Sequence, residues 1–260
     1  NVGASGNVNV SIGASNAGSS GSMKVTAGDS VSGGMNSGSI SLSAGASTNG
    51  NGGSVNLQSG SSAIDVSGAI SLGSAADSTT IQSGDVKLNT GKAAAGASGT
   101  VNFRTGHANS ASGSTVLSSG SSLSSGGDVI VSASSSVSGV AGDVAVESGS
   151  GNSGGNIQVK SGGSADAASG DITTQSGSSP TVSSGSVIVG TGNGESSGVL
   201  AVESGNSAAG RSGSITLKGQ VGGASASNSI IAAGRGGSGQ GGSVTFSAGE
   251  STLQNGGDII

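Results

Sequence analysis

The chain has 260 residues, of which 55 are Gly, with 1% aromatic and 8% charged residues and a net charge of −5. Without Cys it holds neither a disulfide framework nor a Cys-based metal site. No stretch approaches the ~18 consecutive apolar residues of a membrane span, no charged-then-apolar leader pattern opens the chain, and a pI near 4.5 leaves no basic footprint for nucleic acid.

A Gly/Ser-rich composition of this kind ordinarily reads as a flexible linker. Two features argue for order instead. Mean hydropathy is +0.05, above the range of charged, disordered chains. The branched apolar residues also sit at fixed phase within one repeated phrase. Gly21-Ser22-Met23-Lys24-Val25-Thr26-Ala27-Gly28 is one copy, Gly53-Ser54-Val55-Asn56-Leu57-Gln58-Ser59-Gly60 another and Gly142-Asp143-Val144-Ala145-Val146-Glu147-Ser148-Gly149 a third. The phrases open at 6, 21, 38, 53, 68, 84, 99, 113, 127, 142, 155, 170, 185, 198, 213, 228, 242 and 257, a mean spacing of about 14.8 residues. Position 228 is Asn in place of Gly.

Within each phrase the apolar positions alternate with polar ones, a strand period. In chain order the inward positions are Val25, Ile40, Leu42, Val55, Leu57, Val86, Leu88, Val101, Phe103, Val129, Val131, Val144, Val146, Ile157, Val159, Val187, Val189, Ile215, Leu217, Val244 and Phe246. A third inward position is small, as at Ala27, Ala44, Ser59, Thr90, Ser148 and Ser161. A closing Gly follows, then six to nine Gly, Ser, Ala and Asn residues able to take positive φ or to bond their own backbone.

A five-residue strand with one apolar face is unstable alone, so the fold expected is all-β: a parallel β-solenoid (β-helix) running as one continuous array over 1–260. A rung takes one unit or two. The charges favour two units, with two sheets per ~30-residue rung and about nine rungs in all. At the second outward position Arg104, Lys160 and Lys218 fall in units 7, 11 and 15, while Glu147 and Glu203 fall in units 10 and 14. Ala145 to Gly149 recurs 56 residues later as Ala201 to Gly205, which reads either as a two-rung spacing or as an internal duplication. Both ends of the chain fall within a phrase, so the array is expected to lack caps and to belong to a longer array or to stack head to tail.

Sites of specific chemistry are sparse. Gly149 to Gly154 and Gly234 to Gly239 match G-x-G-x-x-G, but in a chain this rich in Gly such matches arise by chance, without the strand-then-helix context of a nucleotide site. His107, the lone imidazole, lies in a Gly/Ala/Asn/Ser loop with no third group to orient it as a base. Asp85, Asp128, Asp143, Asp171 and Asp258 follow the opening Gly without the calcium-binding nonapeptide pattern. No cofactor and no metal is therefore expected, and no enzyme. The outward pairs are too irregular for a flat Thr-x-Thr ice-binding face, which stays a minor alternative. Outward Ile130 and Ile188 break the polar rule and are candidates for a lateral contact between fibrils. The sequon Asn9-Val10-Ser11 lies inside an expected strand, whereas the Ser-rich turns at 118–125 and 134–138 are candidate O-glycan acceptors.

The Gly-Ser/Asp-Val-x-Val-x-Ser-Gly phrase with Ser-rich turns resembles tandem-repeat surface proteins of diatoms and other microalgae, and similar arrays occur in microbial fibrous adhesins. The resemblance spans the whole chain, rests on composition and carries no catalytic residue over. It implies an extracellular or cell-surface structural protein of a fibril, with covalent O-glycans and with itself as partner, head to tail or laterally. The alternative is the stalk of an adhesin or tail fibre whose head lies elsewhere.

Overall fold

In the computed structural model, residues 6–16, 18–31, 33–76, 82–208, 211–219, 228–235, 240–249 and 258–259 are described. Among these the backbone forms no helix and no strand. The expected parallel β-solenoid, or β-helix, is therefore corrected: the described chain is coil, with bends in the linkers and a turn at 33–34. The chain divides into two units, Asn1–Val131 and Ser132–Ile260.

The reason lies in which backbone groups meet. A solenoid ladder pairs phrases about 15 or 30 residues apart. The backbone–backbone bonds among the described residues instead span six to ten residues, across a single linker. In the first unit the N–H of Gly38 donates to the carbonyl of Gly28, Gly53 to Gly45 and Gly68 to Gly60, each at 2.9 Å. In the second unit Gly142 donates to Ser134 (3.1 Å), Gly155 to Gly149 (2.9 Å), Gly170 to Gly162 (3.1 Å) and Gly242 to Gly234 (2.9 Å). Every one joins the opening residue of a phrase to the closing residue of the phrase before it. Closing so short a loop restricts far fewer residues than aligning successive phrases does.

The same clasp explains why the opening residue is Gly and why the third inward residue is small. A Cβ added at Gly53 would lie 3.2 Å from the Cβ of Ala44, and one at Gly38 would lie 3.1 Å from the Cβ of Ala27. The pattern recurs at Gly68 over Ser59 (3.4 Å), Gly142 over Ala133 (3.4 Å), Gly155 over Ser148 (3.4 Å) and Gly242 over Ala233 (3.5 Å). These contacts include the most sheltered places in the described chain: Ala27, Ser59, Thr90, Ser161 and Ser176 are half-buried, while almost every other described residue is exposed. The closing glycines differ. A Cβ at Gly28, Gly45 or Gly60 would meet nothing within 4 Å.

Serine finishes the loop. Ser47, Ser62, Ser136, Ser164 and Ser179 each stand two residues beyond the closing position and accept, on Oγ, the N–H three residues on: Gly50 (2.9 Å), Asp65 (3.0 Å), Gly139 (2.9 Å), Ala167 (3.0 Å) and Val182 (3.2 Å). A hydroxyl that turns back on its own backbone is the chemistry that favours Ser in turns. Gly34, at φ +85°, takes the left-handed conformation that L side chains resist.

Candidate interaction surface

No side chain is buried among the described residues. The 21 inward positions of the sequence pattern, from Val25 to Phe246, are between 43% and 77% exposed. They are not equivalent. Val129, two residues after its opening Gly, is 48% exposed, outward Ile130 is 82% and Val131 is 69%. The phrase at 187–189 repeats this, with Val187 at 51%, Ile188 at 90% and Val189 at 69%. In these two phrases the period-two alternation appears as a difference in exposure.

The backbone of the phrases adds to this surface. In 55–59 and 144–148, and likewise between the opening and closing residues of the other described phrases, the N–H and C=O groups make no backbone bond to another phrase. Each phrase accordingly offers half-sheltered apolar side chains and unpaired peptide groups side by side, between two loops. Ile130 and Ile188, the outward positions of the sequence pattern, are open to solvent.

The charged second outward positions, Arg104, Glu147, Lys160, Glu203 and Lys218, are all exposed and have no ion-pair partner among the described residues. The ion pair that does form is local, Lys87 Nζ to Asp85 Oδ2 at 2.9 Å, with both side chains largely in solvent. Asp65 closes on itself, its Oδ1 accepting the N–H of Val66 at 2.7 Å.

The loop carrying His107 encloses an open concavity of about 570 Å³, lined by Arg104, Thr105, Gly106, His107, Ala108, Ser110 and Ser112. No carboxylate that would orient His107 as a base is among the residues lining it. Among the described residues no three His, Cys, Asp or Glu side chains gather as a metal site, and no helix is long and apolar enough to cross a membrane. Gly149 to Gly154 closes a linker, with the carbonyl of Gly149 accepting from Gly155. The run from Gly234 extends into residues outside those described. Asn9, Val10 and Ser11 are exposed, as are the Ser-rich turns at 118–125 and 134–138.

The clasp residues were not singled out as functional from the sequence. Their signal was nonetheless there: an opening Gly preceded in most phrases by a small residue just before the previous closing position, as at Ala44, Ser59 and Ser148 but not at Ile12 before Gly21, and in several linkers a Ser two residues after that closing position. No family model, curated protein or solved structure matches the chain.

Proposed function

We propose that the chain is a structural protein of an extracellular fibril, with no enzymatic role, that acts by associating with further copies of itself. One observation carries this reading: among the described residues the same arrangement recurs, a clasped loop followed by a phrase whose apolar side chains stay largely exposed and whose inner peptide groups bond no other phrase. A surface presented many times in the same form suits a partner that is itself repetitive. The exposed Ser residues of the linkers, within 121–125 and 135–138, are available to O-glycans outside the phrases.

Purified chain is tested by sedimentation velocity over a wide concentration range, with electron microscopy of the pellet. Concentration-dependent growth into filaments is expected. A single monomeric species at every concentration, with no filaments, overturns the proposal.

A further inference from the structure

The five unpaired charges of the second outward position follow a parity. Basic residues occupy odd units, Arg104, Lys160 and Lys218, and acidic residues occupy even units, Glu147 and Glu203. Within the chain this parity has no use, since none of the five meets an opposite charge among the described residues. Between two copies it decides the alignment. Side by side in register, each phrase faces its own duplicate, so Glu147 meets Glu147 and Lys160 meets Lys160. Like charges directly opposite one another destabilise such a pair. Displacement by one unit sets even against odd, and every meeting among these five charges then becomes favourable or neutral, while Asp128 and Asp143, one unit apart, come to face each other.

We infer that a second copy of this chain associates with the first in parallel, displaced by one repeat unit, with Glu147 facing Lys160 and Glu203 facing Lys218 of that copy. The inference rests on the proposal of self-association and adds its register. A displacement of three units also sets opposite signs together, as Arg104 with Glu147, but one unit keeps the longest overlap and so the largest number of phrases in contact. The chain lengths agree with it. Glu147 to Glu203 spans 56 residues and Lys160 to Lys218 spans 58, and a difference of two is taken up within the linkers, whose clasps already span six to ten. Both pairs draw on residues of Ser132–Ile260, so a single unit of the chain sets the register. Because the displacement leaves one unit of each copy uncovered, a third copy extends the array, and growth is open-ended.

Two double variants of the full chain, each keeping the net charge of −5, test the register. Lys160→Glu with Glu203→Lys turns both meetings into like pairs. Glu147→Lys with Lys160→Glu reverses one meeting and leaves both opposite in sign. Sedimentation at low salt is expected to show association weakened about tenfold in the first and within about twofold of the unchanged chain in the second, since exposed pairs are individually weak. Added salt should narrow the difference. Disulfide capture gives an independent reading, because the chain has no Cys of its own. A mixture of Glu147→Cys and Lys160→Cys chains should yield the mixed dimer, and either alone should not dimerise. If the chains associate but the first variant equals the unchanged one, or if each Cys variant pairs with itself, the displacement is overturned and self-association stands. If the second variant is weakened like the first, the displacement by one unit is overturned. If the unchanged chain does not associate at all, both proposals fall together.

Discussion

Gly38→Ala tests the clasp most directly. The Cβ it adds would stand 3.1 Å from the Cβ of Ala27, 3.1 Å from the N of Gly28 and 3.3 Å from its O. Two of those three atoms are backbone and cannot swing aside, so the Gly38 side of the loop must retreat by a few tenths of an ångström. That retreat stretches the 2.9 Å bond from the Gly38 N–H to the Gly28 carbonyl toward the limit of a useful hydrogen bond. The net worth of such a bond is about 1 kcal/mol, so the closed population should fall about fivefold. Gly45→Ala is the control: its Cβ meets nothing within 4 Å, and its carbonyl remains free to accept from Gly53. There the loss of unfolded-state freedom should favour order by about 0.5 kcal/mol. Amide proton exchange by NMR in the full chain, corrected for residue type, reads both. The residue-38 amide should exchange about fivefold faster in the first variant, while the Gly53 amide should be unchanged or slower in the second. Equal behaviour of the two variants would refute the steric account of the opening glycine.

Ser47→Ala removes the Oγ that accepts the Gly50 N–H at 2.9 Å, and should speed exchange at Gly50 severalfold, a loss of about 1 kcal/mol. Ser136→Ala should do the same at Gly139, and an effect at neither amide sinks the reading of these serines. Gly34→Ala forces an L residue to φ +85° and should cost about 1 kcal/mol in its turn. The chemical shifts of 33–35 should move while those of the clasp at Gly53 hold still, and unchanged shifts at 33–35 would count against the turn.

The sequence shows the phase of the repeat, and the structure keeps that phase: Val129, Ile130 and Val131 differ in exposure as alternating positions should. It does not show what each face meets. Alternation says that Val55 and Leu57 share a side and that Asn56 lies opposite. The inference to stacked rungs needed a further premise, that the partner of each phrase is the next phrase of the same chain. The clasps show a different use of the glycines. Gly53 was legible as a turn former, but its role as the residue that lies against Ala44 and bonds Gly45 needs coordinates to see. Composition also hid the cause of the small third position. Ala44 and Ser59 read equally well as tapering of a core, whereas in the structure they are small because the next opening glycine rests on them. The charge parity was legible throughout, and its link to a two-unit rung came from the same premise about the partner.

If the phrases await other copies, their apolar side chains should matter to association and not to the isolated chain. Val144 is 53% exposed and Val146 is 71% exposed, so more than half of the gain from burying each remains unrealised. Full burial of a Val is worth about 1.5 to 3 kcal/mol, which leaves roughly 1 kcal/mol per residue for a partner to collect. Val144→Ser with Val146→Ser should therefore weaken association by about 2 kcal/mol, a factor near 30. The amide exchange of the flanking clasps, Gly142 to Ser134 and Gly155 to Gly149, should not change in dilute chain, because neither Val is buried there. Each phrase meets its own partner phrase, so the same change made at Val187 and Val189 should add to the first almost independently. A protein that buried these residues in a core of its own would behave oppositely: the dilute chain would loosen first, and association would follow. Loss of clasp protection in the dilute variant, or unaltered association, would show that the phrases are not the surface by which copies meet.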